Sequence, residues 1–311
     1  MNLSFQTRLT AIAGIMLVIF LLISAALFMP KVDRTVKVMD MLFVIDITQS
    51  MDVKDVEFKG QQISRLDWAK DYVRRTLLEL PCGAHVGLSV FSEARSLILI
   101  NPVEVCGNYN DLIQMLTKID GPMAWVNSSE VSKALFTAMK QAQLIDSKPS
   151  IVFLTDGHES PPLHATLFPK YQGDLGIISG VIVGMGGDEL LPIPRRDEAG
   201  MPTKEVWQAN EVMQQNVYVS SRGDLGKENA QKAQTEHLSS QKKVHLTELA
   251  KRVEFEYLAS PDDPDQLIDT LVDIAKTREQ VVSYDWAPWL ATLALILLGL
   301  TYLPVTLIRS A

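Results

Sequence analysis

The stretch Met41-Leu-Phe-Val-Ile-Asp46-Ile-Thr-Gln-Ser50 decides the fold of this chain. It opens with five consecutive apolar residues, a pattern typical of a β-strand that is buried on both faces, and becomes polar at Asp46. A second stretch of the same kind, Ser150-Ile-Val-Phe-Leu154, is followed by Thr155-Asp156-Gly157. Strands of this type belong to parallel sheets, whose carboxyl ends meet at one edge. The sequence therefore predicts an α/β fold with Asp46 and Asp156 at the same edge.

Strands and helices alternate along the rest of residues 31–285. Ser64 is suited to cap a helix, and the apolar residues that follow it recur at helical spacing. This alternation predicts a Rossmann-like, doubly wound, mainly parallel sheet with helices on both faces and one antiparallel edge hairpin. We expect further helices over 109–119, 130–144, 246–253 and 267–276, and further strands over 176–184 and 255–259.

Residues 186–245 differ from the segments around them. They contain Pro192, Pro194 and Pro202, followed by a polar run over 220–243 with little apolar content. This composition predicts an insertion that starts as a hairpin-like excursion and continues as a solvated helix or a flexible arm.

The two cysteines flank a predicted hairpin. Cys82 precedes the apolar run 85–91, Cys106 follows the run 96–103, and a short polar turn lies between the two runs. A hairpin centred near Ala94 places Cys82 opposite Cys106, so a disulfide is geometrically feasible. Two buried free thiols are the alternative. A disulfide would indicate an oxidising compartment, in a bacterium the periplasm.

Both ends of the chain are apolar. Residues 11–29 and 287–307 contain no charged residue, and each run is about as long as the roughly 20 residues of a membrane-spanning helix. We expect two transmembrane helices in a bacterial inner membrane, with a cytoplasmic tail at 1–10 and a periplasmic domain at 31–285. A signal peptide cleaved near Ser24 is the alternative for the first run, but the run is longer than the usual apolar region of such a peptide.

The charge of the chain is acidic. The formal net charge is −8, and Arg8 and Arg309 are the only charged residues outside 31–285. The central segment therefore holds all but two of the 29 basic residues and all 37 acidic residues, which gives it a net charge of −10. Binding to nucleic acid needs clustered cations, so this balance argues against a nucleic-acid partner.

The polar residues after the predicted strands form a set of oxygen ligands. Thr48 and Ser50 follow Asp46 at alternate positions, so their hydroxyls project on one side of an extended segment. Ser129 opens a predicted helix, and Asp156 follows the second strand. Carboxylates and hydroxyls together suit Mg²⁺, or alternatively Mn²⁺ or Ca²⁺.

These residues resemble the metal-ion-dependent adhesion site of von Willebrand factor A domains, whose three segments match 46–50, the Ser129 region and 154–157 in order. The resemblance implies that Thr48, Ser50 and Ser129 coordinate the metal directly, while Asp46 and Asp156 act mainly through water. It implies that the open vertex of the ion accepts an Asp or Glu side chain of a partner protein. In the family, Ser is usual at the position of Thr48 and Thr at that of Ser129, and Ser128 or Ser132 are alternatives to Ser129.

A narrower resemblance is to the membrane-anchored Bat-type proteins. It rests on Asp46 to Asp52, on Arg65-Leu66 with Ala69-Lys70, on 85–91 and on Pro192-Ile-Pro194. Two flanking spans are also similar to MxaL-like proteins, which are associated with methanol dehydrogenase maturation. These resemblances imply pairing with a MoxR-type AAA+ ATPase and a role in the assembly of a periplasmic enzyme or complex.

Other polar residues near the site receive simpler interpretations. We expect Asp52 and Asp55 to be solvated loop acids, and His158 to lie near the site without a catalytic role. Trp125 is either a core residue or an anchor for a partner. The prediction is thus a binding module without enzymatic activity. The alternative is a metal-dependent phosphohydrolase, which would need a nucleophile or a general base placed against the metal.

Overall fold

The computed structural model describes residues 5–163, 168–214, 235–261 and 263–302. It divides into two compact units, Met1–Val36 with Gln280–Ala311, and Lys37–Glu279. Residues 220–234 of the predicted polar run, the first residues of the predicted tail and the end of the second predicted span lie outside the described residues.

The described part of the chain contains helices and strands in alternation, as the sequence predicts. The helices are α1 (Phe5–Phe28), α2 (Arg65–Glu79), α3 (Tyr109–Lys118), α4 (Val131–Leu144), α5 (Lys243–Val253), α6 (Pro264–Ile274) and α7 (Ala287–Tyr302). The strands are β1 (Val32–Asp46), β2 (Val56–Phe58), β3 (Gln61–Ile63), β4 (His85–Ser92), β5 (Arg95–Glu104), β6 (Ser150–Thr155), β7 (Gly180–Gly184), β8 (Leu191–Pro192), β9 (Pro194–Arg196), β10 (Pro202–Val206), β11 (Leu238–Ser239), β12 (Glu256–Ala259) and β13 (Thr277–Tyr284).

The central sheet has the order β12-β7-β6-β1-β4-β5, and β13 also pairs with β1. The pairs of β1 with β4, β1 with β6, β6 with β7 and β7 with β12 are parallel, whereas β5 pairs antiparallel with β4 at the edge. This is the predicted doubly wound sheet. The chain leaves β1 toward β4 on one side and returns to β6 on the other. The gap between the ends of β1 and β6 is therefore the topological switch point, where such folds bind ligands.

Burial explains why the central strands consist of consecutive apolar residues. Every residue of β6 is buried, as are the last six of β1, because helices cover both faces of the sheet. Phe91 of β4 and Phe153 of β6 stack with their ring centroids 4.9 Å apart. The predicted helix cap is present, since Ser64 Oγ accepts a hydrogen bond from Asp67 N at 3.0 Å.

The predicted register of the edge hairpin, centred near Ala94, holds only where Leu88 pairs with Ile100. Near the turn, Ser92 pairs with Arg95, one position off the prediction, and two irregularities between Val86 and Ser89 shift the register the other way, so that His85 pairs with Glu104. Such bulges add residues to one strand and bend it, which a simple count from the turn does not include. The shift still brings Cys82 and Cys106 together. They are disulfide-bonded with their Cα atoms 5.3 Å apart.

The structure does not support the two predicted transmembrane spans at 11–29 and 287–307. Within the part of the chain that it describes, no helix is both long enough and apolar enough to cross a membrane.

Candidate metal centre at the switch point of the sheet

Asp46 and Thr155 lie at the switch point because their strands are in register. Ile45 of β1 pairs with Leu154 of β6, so the next residues, Asp46 and Thr155, also lie side by side. Thr155 Oγ1 donates a hydrogen bond of 2.6 Å to Asp46 Oδ2. Neither residue is exposed to solvent. The ends of the two strands thus hold the first carboxylate of the site in place.

Thr48 folds back onto Asp46 immediately after the strand. Its backbone nitrogen donates to Asp46 Oδ1 at 2.9 Å, and its hydroxyl donates to the same oxygen at 2.7 Å. The Thr48 hydroxyl also lies 3.3 Å from Ser50 Oγ. A short 3-10 helix, Gln49–Asp52, begins at this point and buries its residues. Both predicted hydroxyls therefore lie beside the first carboxylate.

Asp156 has four hydrogen-bond donors. Its Oδ1 accepts from Ser50 Oγ at 3.1 Å and from His158 N at 2.9 Å. Its Oδ2 accepts from Arg65 Nη1 at 2.5 Å and from Ser239 Oγ at 2.8 Å. The carboxylate is completely buried. The structure thus brings Asp156 together with Asp46, Thr48 and Ser50.

The two buried carboxylates have pKa shifts in opposite directions. Burial, and next the charge of Asp156, raise the pKa of Asp46 to about 7, although hydrogen bonds from Thr155 and Thr48 oppose the shift. Burial also acts to raise the pKa of Asp156, but the positive charge of Arg65 and the hydrogen bonds to this carboxylate outweigh it, so its pKa is lowered. Arg65 contacts only Asp156 of the pair. The side of the site at Asp46 is thus where additional positive charge would be most stabilising.

Ser129 is the serine of its segment that lies at the site. Its backbone exchanges two hydrogen bonds with Ser160, of 2.7 and 2.6 Å, which place the residue just before α4. Its side chain is buried, and its hydroxyl has no hydrogen-bond partner among the described residues. Ser132, one of the alternatives, instead donates to Glu159 Oε1 at 2.8 Å. An unsatisfied buried hydroxyl is costly, so this oxygen is available to a ligand.

The prediction that Asp52 and Asp55 are solvated loop acids is wrong. Arg196 donates to both oxygens of Asp52, at 2.6 and 3.0 Å, and Arg65 donates to both oxygens of Asp55, at 3.1 and 2.7 Å. The side chains of both aspartates are 6% exposed. Each side chain is buried because an arginine pairs with it, 144 positions away for Asp52 and 10 positions away for Asp55, and the sequence of the loop itself does not reveal either partner.

The insertion at 186–245 contributes to the site. Its start is the predicted hairpin, β9 with β10. Arg196 on β9 also donates to the carbonyl oxygens of Ile47 and Thr48, at 3.0 and 3.3 Å. At its end, Ser239 Oγ donates a hydrogen bond of 2.8 Å to Asp156 Oδ2, so this part of the predicted solvated run contacts the site. The insertion therefore contacts the site both beside Thr48 and at Asp156.

A cavity of about 210 Å³ opens at the site. Thr48, Ser50 and Ser129 line it, together with His158 and residues of the insertion that include Trp207. Burial lowers the pKa of His158 to about 4, so its imidazole is neutral. Trp125, in contrast, is 42% exposed and does not line this cavity, so it is not a core residue.

Sequence inspection missed Arg65, Arg196, Trp207 and Ser239. For Arg65 a signal was present. The buried residues of α2 include Arg65, Ala69, Val73 and Leu77 at intervals of four, which places Arg65 on the apolar face of the helix, where a charge needs a partner. For the three residues of the insertion no comparable local pattern exists.

Part of the chain matches a known domain family. Residues 41–158 match the sequence profile of the von Willebrand factor type A domain, and this range contains all five predicted metal ligands. The predicted domain type is thereby confirmed, whereas the narrower likeness to MxaL is not. No curated protein matches the chain.

Two solved structures illustrate the structural similarity. BatB from Bacteroides thetaiotaomicron is 17% identical, with a TM-score of 0.49, over 76% of this chain and 98% of that one. An aerotolerance-related membrane protein from Bacteroides fragilis NCTC 9343 is 16% identical, with a TM-score of 0.47, over the same shares of the two chains.

Proposed function

We propose that this chain, whose residues 41–158 carry a von Willebrand factor type A domain, is a metal-dependent protein-binding module. The observation that carries the proposal is the buried hydroxyl of Ser129, which has no hydrogen-bond partner in the described part of the chain and belongs to a residue that lines the same cavity as Thr48 and Ser50. A divalent cation, Mg²⁺ or alternatively Mn²⁺ or Ca²⁺, would be held by these three hydroxyls and would supply positive charge with a vertex open to a partner's Asp or Glu side chain.

The hydrogen bonds of the site orient the hydroxyl oxygens for this role. Thr48 Oγ1 donates its proton to Asp46, and Ser50 Oγ donates its proton to Asp156. A hydroxyl that donates to a carboxylate keeps its lone pairs for another contact. Both oxygens of each carboxylate already accept hydrogen bonds. This arrangement fits direct coordination by the hydroxyls and an indirect, water-mediated role for Asp46 and Asp156.

Charge supports the same assignment. Asp46 and Asp156 are buried close together, and Arg65 contacts only the second of them. The central segment around them has a net charge of −10. The carboxylate of a partner would therefore be repelled by the site without a cation, so we expect binding of an acidic partner to depend on the metal.

Calorimetric titration of the full chain with Mg²⁺, Mn²⁺ and Ca²⁺ tests the metal site. We expect Ser129→Ala to weaken binding of the preferred ion at least about tenfold. Ser128→Ala, one residue away, is the matched control and should leave the affinity unchanged. A double variant, Asp46→Ala with Asp156→Ala, should not bind detectably. Equal affinity of the wild type and the double variant would contradict the proposal.

The alternative function, a metal-dependent phosphohydrolase, has weaker support. Asp46 and Asp156 are fully buried and neither lines the cavity, so neither carboxylate is presented there as a nucleophile. The Nδ1 of His158 has no partner among the described residues that would orient the imidazole as a base. Hydrolysis of p-nitrophenyl phosphate with Mg²⁺, abolished by Asp46→Asn, would favour the enzyme.

The proposed partners follow from the resemblance to Bat-type proteins. We include in the proposal a MoxR-type AAA+ ATPase as a partner, and a role in the assembly or maturation of a periplasmic enzyme, for which methanol dehydrogenase is one candidate. Capture of partners with the wild type and with Thr48→Ala, each with and without EDTA, tests this part. A partner recovered equally in all four conditions would show that the metal site is not the docking surface.

The proposed compartment of the domain is the bacterial periplasm. The disulfide between Cys82 and Cys106 supports it, because structural disulfides persist in oxidising compartments. Mass spectrometry of the chain after thiols are trapped before lysis is the test. Two fully alkylated thiols would contradict an oxidising location.

A further inference from the structure

The cavity beside the proposed metal ligands has an apolar wall that the insertion supplies. Thr48, Ser50 and Ser129 line one part of it. The apolar residues of its lining all come from 186–245 and are Ile193, Trp207, Val212 and Met213. The wall is thus separate from the three segments that form the metal centre, although it faces the same space.

Trp207 is held in a fixed position in this wall. Its indole Nε1 donates to Gln49 Oε1 at 2.6 Å, and the guanidinium of Arg195 lies 4.7 Å from its ring centroid. Gln49 in turn donates to Asn127 Oδ1 at 3.3 Å. Because Gln49 lies between Thr48 and Ser50, its hydrogen bond with Trp207 connects the aromatic ring to the segment that carries two of the proposed metal ligands. An ordered aromatic surface next to a polar site is a common anchor in binding interfaces.

The size of the cavity limits what it can take. Its volume is about 210 Å³. Pockets for cofactors and drug-sized ligands are larger, roughly 300–1,000 Å³, whereas a cavity of about 150 Å³ already holds benzene. The space is therefore suited to one apolar side chain together with a carboxylate.

Two buried polar atoms in the lining lack partners among the described residues. They are Ser129 Oγ and His158 Nδ1, and their residues are 3% and 4% exposed. Ser129 belongs to the proposed metal site, but His158 Nδ1 does not. A buried ring nitrogen without a partner points to a hydrogen bond that a ligand completes.

The charges around the cavity disfavour a strongly acidic ligand. Glu211 and Glu236 line it, and neither Lys nor Arg does so among the described residues. A second carboxylate on the ligand would approach these two acidic side chains and would meet no Lys or Arg in the described lining, since the neighbouring Arg195 already pairs with Glu211 at 3.1 Å. The charge pattern is thus suited to a ligand with a single acidic group.

We propose that this cavity is a specificity pocket for a protein segment in which one Asp or Glu stands directly beside a large apolar residue. The carboxylate is directed to the side of Thr48, Ser50 and Ser129, and the apolar side chain packs against Trp207 and Ile193. His158 Nδ1 forms a hydrogen bond with the main chain of the segment. The inference rests on the proposed metal-dependent function and adds the sequence class of the partner.

Fluorescence polarisation of the full chain with labelled, end-capped peptides tests the pocket. The probes are Leu-Asp-Leu, Ser-Asp-Ser and Leu-Asn-Leu, each measured in Mg²⁺ and in EDTA. We expect Leu-Asp-Leu in Mg²⁺ to bind at least about tenfold more tightly than Ser-Asp-Ser, because one additional apolar side chain is buried. Leu-Asn-Leu, and every peptide in EDTA, should bind at least about tenfold more weakly than Leu-Asp-Leu in Mg²⁺.

Variants of the wall separate the pocket from the metal. Met213→Ser leaves the hydrogen bond between Trp207 and Gln49 in place, so it should reduce the affinity ratio between Leu-Asp-Leu and Ser-Asp-Ser while Mg²⁺ affinity is retained. Trp207→Ala should reduce the same affinity ratio. Trp125→Ala, an exposed tryptophan outside the cavity, is the matched control and should leave the ratio unchanged. Equal affinity for Leu-Asp-Leu and Ser-Asp-Ser, or an affinity ratio that neither wall variant changes, would overturn the specificity pocket but not the proposed metal-dependent function. Failure of every peptide to bind in Mg²⁺ would overturn the proposed function as well.

Discussion

Arg65 Nη1 lies 2.5 Å from Asp156 Oδ2, and neither side chain is exposed to solvent. The same guanidinium donates to Asp55 and to Ser239, at 2.7 Å to each. One buried cation therefore pairs with two carboxylates from different segments. It also connects Asp156 at the proposed metal site to Ser239 at the end of the insertion. A planar guanidinium can make these contacts together, which the ammonium of a lysine cannot.

Replacement of Arg65 by Met should destabilise the domain by about 3–5 kcal/mol, because Asp55 and Asp156 would stay buried without their cation. Chemical denaturation in EDTA measures the effect without a contribution from bound metal. Arg74→Met on the same helix is the matched control, since the Arg74 side chain is 40% exposed and pairs with Asp71 at the surface. The control should lose no more than about 1 kcal/mol. Similar losses in both variants would show that the Arg65 contacts are not a major source of stability.

Replacement of Arg196 by Met should weaken Mg²⁺ binding about tenfold, because groups that position metal ligands contribute on this scale. The Arg196 side chain is 4% exposed and holds Asp52 and the carbonyl of Thr48, so its loss frees the loop that carries two of the proposed ligands. Calorimetric titration is the measurement. Arg195→Met provides the control, since this neighbour is 39% exposed and pairs with Glu211 instead. An unchanged affinity in folded Arg196→Met would contradict the positioning role.

The sequence predicts those residues of the site whose positions follow from local patterns. Asp46, Thr48 and Ser50 follow one buried strand, and Asp156 follows another, so strand ends and parallel pairing are enough to bring them together. Arg196 and Ser239 reach the site from an insertion that has no helical or strand periodicity to fix its position. Their contacts join residues 144 and 83 positions apart, to Asp52 and Asp156 respectively. Such contacts depend on how the whole chain folds, and a local pattern contains no information about them.

The same distinction applies to the edge hairpin. Its two strands and their antiparallel pairing follow from the apolar runs on either side of a polar turn. The register at the open end depends on irregularities between Val86 and Ser89. At Gly87 a Cβ would lie 2.9 Å from the carbonyl oxygen of Ile100, so this bulged region is packed too closely for a larger residue. A count from a turn centred near Ala94 is one position off beside the turn and one position off in the other direction at the open end, so the sequence predicts the hairpin but not its register.

Removal of the disulfide should destabilise the domain by about 3 kcal/mol, since the bond closes a loop of moderate length. Cys82 and Cys106 are separated by 24 positions. The Cys82→Ser/Cys106→Ser variant, compared with the wild type by chemical denaturation, measures the difference. Addition of dithiothreitol should lower the stability of the wild type toward that of the variant and leave the variant unchanged. Equal stability of oxidised and reduced wild type would contradict the prediction.

The Glu104 carboxylate should stabilise the same region in a pH-dependent way. It accepts hydrogen bonds from three backbone amides beside the disulfide, Gly83 N at 2.8 Å, Cys106 N at 3.1 Å and Gly107 N at 2.6 Å. Burial acts to raise the pKa of Glu104, but these bonds and the charge of His85 outweigh it, so the pKa is lowered. The folded state therefore favours the charged carboxylate.

Glu104→Gln should accordingly be about 1–2 kcal/mol less stable than the wild type at neutral pH, at the lower end of the contribution of hydrogen bonds to a charged group because Glu104 is partly exposed. Because the folded pKa lies below the unfolded value of about 4.5, this difference should be complete above that pH and should disappear as the pH falls through the folded pKa. Urea denaturation from pH 3 to pH 7 gives the profile. The exposed Glu79→Gln serves as the control and should show no such profile. A difference between wild type and Glu104→Gln that stays constant over this range would rule out the charge of Glu104 as its source.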